Sequence, residues 1–179
     1  TRGWENTIYE KEIDGNKFSL RASSHILLAK GLQAIKRGKV QEAEHQLKAL
    51  NNLPDAMSRA TDRDVQPVII KELDAMIRFA KGHHEQAVTT IQEAVDMQDD
   101  LSLQFGPPKP VKPVNELYGE MLLELNQPET AEKRFRKALE RHPQRALSLL
   151  GLARASAAAG HHDTSRKALA ALQLINSQN

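Results

Sequence analysis

The chain has 179 residues, 40% of them hydrophobic, enough to bury about two thirds of its unfolded surface as one domain. Its 25 Lys and Arg against 23 Asp and Glu leave a formal charge of +2, so no net field draws it onto a phosphate backbone or an anionic membrane. No stretch is long and apolar enough to span a bilayer, and the absence of cysteine excludes a disulfide framework and thiolate chemistry.

Residues 1–20, TRGWENTIYEKEIDGNKFSL, lack the basic-then-apolar layout of a signal peptide. Asp14-Gly15 suits a two-residue hairpin, yet an isolated hairpin is marginal in water, so an irregular arm or short hairpin is expected, with Trp4 packed on the first helical unit or belonging to an interface with upstream sequence. The chain begins at Thr1 without an initiator Met, which reads as a piece of something longer and leaves cytoplasm and periplasm both open.

From residue 21 the pattern is helical. Apolar spacings of three and four with a turn at Gly38 predict a first helical hairpin over about 24–51. NNLPDAMSRATDRDVQ, 51–66, loses that periodicity and carries a stop at Leu53-Pro54, so it reads as a connector in which PDAMSRA can add one extra turn. A second hairpin is predicted over 67–98 around Gly82. Then comes FGPPKPVKP, 105–113, through which no helix can run because of Pro107, Pro108, Pro110 and Pro113. Such a segment favours polyproline II, about 3.1 Å per residue, and can be either a spacer or a PxxP ligand flanked by Lys109 and Lys112. Anchorage at both ends and the presence of Phe105 favour the packed spacer.

The third hairpin, 114–142, is the clearest. Leu117, Tyr118, Met121, Leu122 and Leu125 form one face of its first helix, Asn126-Gln127 break it, and Pro128 suits the first turn of the second. Phe135, Ala138 and Leu139 make the second apolar stripe, and Pro143 ends it. The fourth hairpin is predicted over 146–176. In its last helix Ala168, Leu169, Leu172 and Ile175 are expected to face their own hairpin, and Ala171 and Leu174 to face outward.

The four units share one register. The turn residues Gly38, Gly82, Asn126 and Gly160 are separated by 44, 44 and 34 positions; the same intervals separate Ala43, Ala87, Ala131 and Ser165, and again Leu47, Ile91, Phe135 and Leu169. Tyr118, Gly119, Leu122, Asn126, Ala131, Phe135, Ala138 and Pro143 resemble a tetratricopeptide repeat, whose natural length is about 34 residues. The likeness continues from Arg145 to Asn176 and thins in the first two units, which lack the aromatics and the closing proline. With its long loop before Lys112, the layout also resembles the C-terminal part of larger bacterial tetratricopeptide proteins. The resemblance implies an all-α, right-handed α-α superhelix of four hairpins with long inter-repeat loops, and implies no reaction.

Histidine is the residue type most capable of hiding chemistry. GHHEQA (82–87) and GHHDTS (160–165) echo each other with a carboxylate beside paired His, but they occupy equivalent turns two repeats apart, too far to share one metal ion. Val88 stands where HExxH would need its second His, and no nucleophile elbow or phosphate-binding glycine loop occurs. No metal, cofactor or enzymatic activity is expected.

The resemblance implies that the first helix of each hairpin lines a concave groove. Its groove positions are His25, Leu28, Leu32 and Ile35; Glu72, Met76 and Phe79; Glu116, Glu120, Leu123 and Glu124; and Leu150 and Arg154. Relatives that clamp a C-terminal carboxylate use Lys and Asn there, whereas this chain offers Glu. A protein or peptide partner of basic or amphipathic character is therefore expected, held by Met76, Phe79 and Leu123, with Glu116 and Glu120 pairing to its Lys or Arg. The competing readings are an accessory domain at the C-terminus of a larger enzyme and helical-repeat RNA binding; the glutamates of the groove count against the latter. A monomer in dilute solution is expected, with Trp4, Ile8 and Tyr9 making the N-terminal end the stickier one.

Overall fold

The computed structural model describes residues 19–53, 60–101 and 112–177. The N-terminal arm, the PDAMSRA turn and most of the proline-rich connector lie outside the described residues. Within them the chain is entirely helical: α1 (Leu20–Lys36), α2 (Val40–Asn51), α3 (Ala60–Ala80), α4 (His84–Asp100), α5 (Val114–Glu124), α6 (Pro128–Arg141), α7 (Ala146–Ala158) and α8 (His162–Ser177).

Four turns made on one plan close the hairpins. Gly38, Gly82, Asn126 and Gly160 all take positive φ, at 74°, 80°, 56° and 78°. In each, the next residue donates its N–H back across the turn: Lys39 to Ala34, His83 to Arg78, Gln127 to Leu122, and His161 to Ser156, at 2.8–3.0 Å. This left-handed cap satisfies carbonyls that a helix end would otherwise leave bare, and it needs glycine or asparagine.

Each hairpin packs on itself, and α1, α3, α5 and α7 also pack on one another in series as an inner layer. The outer helices α2, α4 and α6 each touch the next inner helix along the chain. Ala43, Ala87 and Ala131 are wholly buried, and Ser165 nearly so, where the two helices of a hairpin cross. At the junction of the third and fourth hairpins, Phe135 of α6 fills space that two glycines leave open. A Cβ on Gly119 of α5 would lie 2.9 Å from the ring, and one on Gly151 of α7 would overlap it.

Two apolar clusters meet on α3. Val65, Ile69, Leu73 and Ile77, spaced by four, face Leu28, Ala34, Ala43 and Leu50 of the first hairpin. Val68 and Ala75 face the core shared by α4 to α8. This two-sided burial explains a departure from the sequence expectation. Helix α3 starts at Ala60 instead of about 67 and runs through Pro67. A proline inside a helix costs roughly 3 kcal/mol, but burying Val65 and Ile69 and tying Gln66 Nε2 to Leu50 O (3.1 Å) offset it. Helix α1 likewise starts early, at Leu20, where Ser19 Oγ caps the Ala22 N–H.

Candidate interaction surface

On the inner helices the groove positions fall into two groups. Leu32 and Ile35 of α1, Met76 and Phe79 of α3 and Leu123 of α5 are half-buried, each with one side on the core. Phe79 also stacks on His84 at 4.8 Å. Glu120 is partly open, while Glu124, Leu150 and Arg154 are exposed. Leu28, Glu72 and Glu116 are buried instead.

The burial of Glu72 and Glu116 corrects the expectation that Glu116 offers its charge to a ligand. Arg145, just ahead of α7, donates from Nε to Glu116 Oε2 at 2.6 Å and from Nη2 to Oε1 at 3.0 Å. Ser148 Oγ donates to the same carboxylate, and Lys112 Nζ lies 3.1 Å from Oε1. Burial alone would push the Glu116 carboxyl up; the Arg145 hydrogen bond, the Lys112 charge and Ser148 outweigh it and hold it below the usual value. Glu116 therefore joins the third hairpin to the fourth. Lys112 Nζ also pairs with Glu120 Oε1 at 2.6 Å, which leaves part of that side chain open to solvent.

Glu72 occupies the same place one repeat earlier without the same support. It is fully buried, and among the described residues neither carboxylate oxygen has a hydrogen-bond partner. Burial raises its pKa well above the ordinary value, Lys112 pulls against this, and Glu116 adds to it. Lys112, which precedes α5 as Arg145 precedes α7, spends its contacts on Glu116 and Glu120.

The turn histidines do separate things. His161 Nδ1 lies 2.8 Å from Glu132 Oε2, and Arg136 holds the other oxygen of that buried carboxylate, tying α6 to the α7–α8 turn. Burial pushes Glu132 up, but the hydrogen bonds from His161 and Arg136 win and leave it below the usual value. Among the described residues no three potential ligands come together as a metal site. An open depression is lined by Arg141, His142, Pro143, Gln144 and Arg145, but Arg141 is bound to Asp99 and Arg145 to Glu116. No described helix is long and apolar enough to cross a membrane.

Arg145 and Ser148 had no site role in the sequence reading, and Lys112 entered it only as a flank of the proline segment. The role of Arg145 and Ser148 depends on contacts across a repeat junction, 29 and 32 residues away, which no local spacing marks, whereas Lys112 reaches Glu116 at i,i+4.

A family model described as tetratricopeptide repeat matches residues 122–179. Neither the curated proteins nor the solved structures compared with the chain return a match. That match covers the C-terminal third of the chain, and over the described residues the paired helices closed by one recurring turn are those of a tetratricopeptide-like helical repeat solenoid.

Proposed function

We propose that the chain is a protein-interaction module whose inner helix layer holds a peptide or helix from a partner protein. Tetratricopeptide repeats are commonly protein–protein interaction modules, and repeat stacks build extended surfaces suited to that use. The observation that carries the reading is the accessible apolar row on adjacent inner helices, Met76 and Phe79 on α3 with Leu123 on α5. Beside it stand the partly open Glu120 and the exposed Glu124. A basic amphipathic segment suits this row, its apolar side on Met76, Phe79 and Leu123 and its cations toward Glu120 and Glu124 in place of Glu116. Leu32 and Ile35 extend the row toward the first hairpin, and Arg154 stands beyond its other end.

Selection of short random peptides on the immobilised chain tests this. Enriched peptides should be cationic and amphipathic, and should bind at least about tenfold more weakly to Met76→Glu. Because Met76 also touches the core, Glu124→Lys, at an exposed site, serves as the second variant. Peptides that bind wild type and both variants alike would overturn the reading.

A further inference from the structure

Glu72 stands one helical turn before Met76 on α3, wholly buried, with no hydrogen-bond partner for either oxygen among the described residues. The next repeat shows what such a carboxyl takes when it is charged. Glu116 receives two hydrogen bonds from Arg145 and one from Ser148. In the same register the buried Val114 stands where Ser148 does, so α5 offers Glu72 no hydroxyl there. An unpaired buried charge is costly enough that such a group keeps its proton, and burial pushes the Glu72 carboxyl well above the usual range.

One cation acts on it from close by. The charge of Lys112, just before α5, favours ionised Glu72, and the charge of Glu116 opposes it. Lys112 Nζ lies between Glu116 Oε1 at 3.1 Å and Glu120 Oε1 at 2.6 Å. These two partners differ. Glu116 is buried and already held by Arg145, whereas Glu120 is partly open and has the exposed Glu124 one turn on, where the inner row offers its charge. A partner's cation at Glu120 competes with Lys112 for one carboxylate and repels it. Lys112 carries its ammonium on a flexible four-carbon stem, and Glu72 is an acceptor with nothing bound. Charged groups on the other elements packed against α3 pair with its remaining faces: Glu44 of α2 with Lys81, and Glu93 of α4 with Lys71. On α1 the titratable residue nearest in register is His25, whose Nδ1 lies 2.7 Å from Arg21 O.

We infer that partner capture on the inner row releases a proton: a cation bound at Glu120 drives Lys112 Nζ over to Glu72, whose carboxyl ionises and gives its proton to water. The inference rests on the inner-row reading above and adds its regulation. Capture is weakest in acid. It tightens by up to about tenfold per pH unit across the range in which the free chain holds the proton and the complex does not. A row that only lost charge at Glu120 and Glu124 would instead respond near the ordinary carboxyl value of about 4.5 and be flat above it.

A synthetic peptide of about 18 residues, with a leucine face edged by lysine, is the probe. Calorimetric titration in two buffers of different ionisation enthalpy, repeated from about pH 5 to about pH 8, counts the protons released. Wild type should release up to about one proton per peptide and bind more tightly as pH rises. Glu72→Gln should bind without release and hold the wild-type acid affinity throughout. Lys112→Met should lose the release as well, with circular dichroism confirming that both variants are folded. Release that survives Glu72→Gln would come from His25 or from His84, which stacks on Phe79, and would overturn the inference. Release that survives Lys112→Met would overturn the relay, because the peptide would then act on Glu72 directly. Binding without release in wild type sinks the inference and leaves the inner-row reading standing, whereas no binding at any pH sinks both.

Discussion

Phe135 of α6 rests against the bare backbone of Gly151 of α7, and this contact sets how closely the fourth hairpin approaches the third. Two effects compete when Gly151 is replaced. Alanine gains about 1 kcal/mol of helix propensity, whereas a Cβ overlapping a fully buried ring costs about 1–3 kcal/mol or more. The ring is also closed in by Gly119, so it cannot retreat and the clash wins. Gly151→Val should lower the melting temperature by several degrees, Gly151→Ala by less, and Gly119→Ala least. Thermal unfolding in which Gly151→Val matches wild type would contradict the junction geometry.

Removing Arg145 strands a buried charge. Breaking a buried pair costs about 3–5 kcal/mol, and Lys112 at 3.1 Å from Glu116 should keep Arg145→Met near the lower end. Replacing both partners, Glu116→Leu with Arg145→Met, should recover much of that loss. Urea denaturation decides it: a double variant less stable than Arg145→Met alone would mean that the carboxylate contributes more than its pairing.

Glu72 gives stability a pH dependence of the opposite sign to most carboxylates. Its folded pKa is raised, so the folded state keeps a proton that the unfolded chain gives up. Stability is therefore highest below the unfolded value, about 4.5, and falls as pH rises toward the folded one. Glu72→Gln keeps the shape without the charge. It should raise the melting temperature at neutral and higher pH and flatten this slope, while having little effect in acid. A Gln variant that is less stable at every pH would show that the ionised carboxylate is wanted.

Glu116 and Glu132 set the acid limit. Both have lowered folded pKa values, so their contribution is present above the unfolded value of about 4.5 and is lost as pH falls through the folded ones. Acid unfolding should thus begin below about 4.5, and the Glu116→Leu/Arg145→Met variant should show a shallower acid limb. An unaltered limb would place the acid-sensitive groups elsewhere.

The architecture was legible because it rests on local chemistry. Gly38, Gly82, Asn126 and Gly160 stand where the backbone turns left-handed, and Ala43, Ala87 and Ala131 where helices cross, so spacing alone revealed the repeat. The start of α3 was not legible, because Pro67 is a local stop signal that the tertiary burial of Val65, Ile69 and Leu73 overrides. The surface was half legible. The family resemblance implied the helix face that carries Glu72, Met76 and Glu116 but not what lies across from it, and Arg145 reaches Glu116 from the next repeat. Leu169, expected against its own hairpin, is 43% exposed, because a helix stripe does not say which of its residues the partner helix covers.

Methyl NMR of the chain, with a selected inner-row peptide titrated in, tests the proposed role most directly. The Met76 and Leu123 methyls should shift first and saturate together, with those of Leu32 and Ile35 shifting later, while Leu47 and Leu139 on the outer helices stay in place. Shifts confined to the outer helices, or none at saturating peptide, would contradict a partner-binding inner layer.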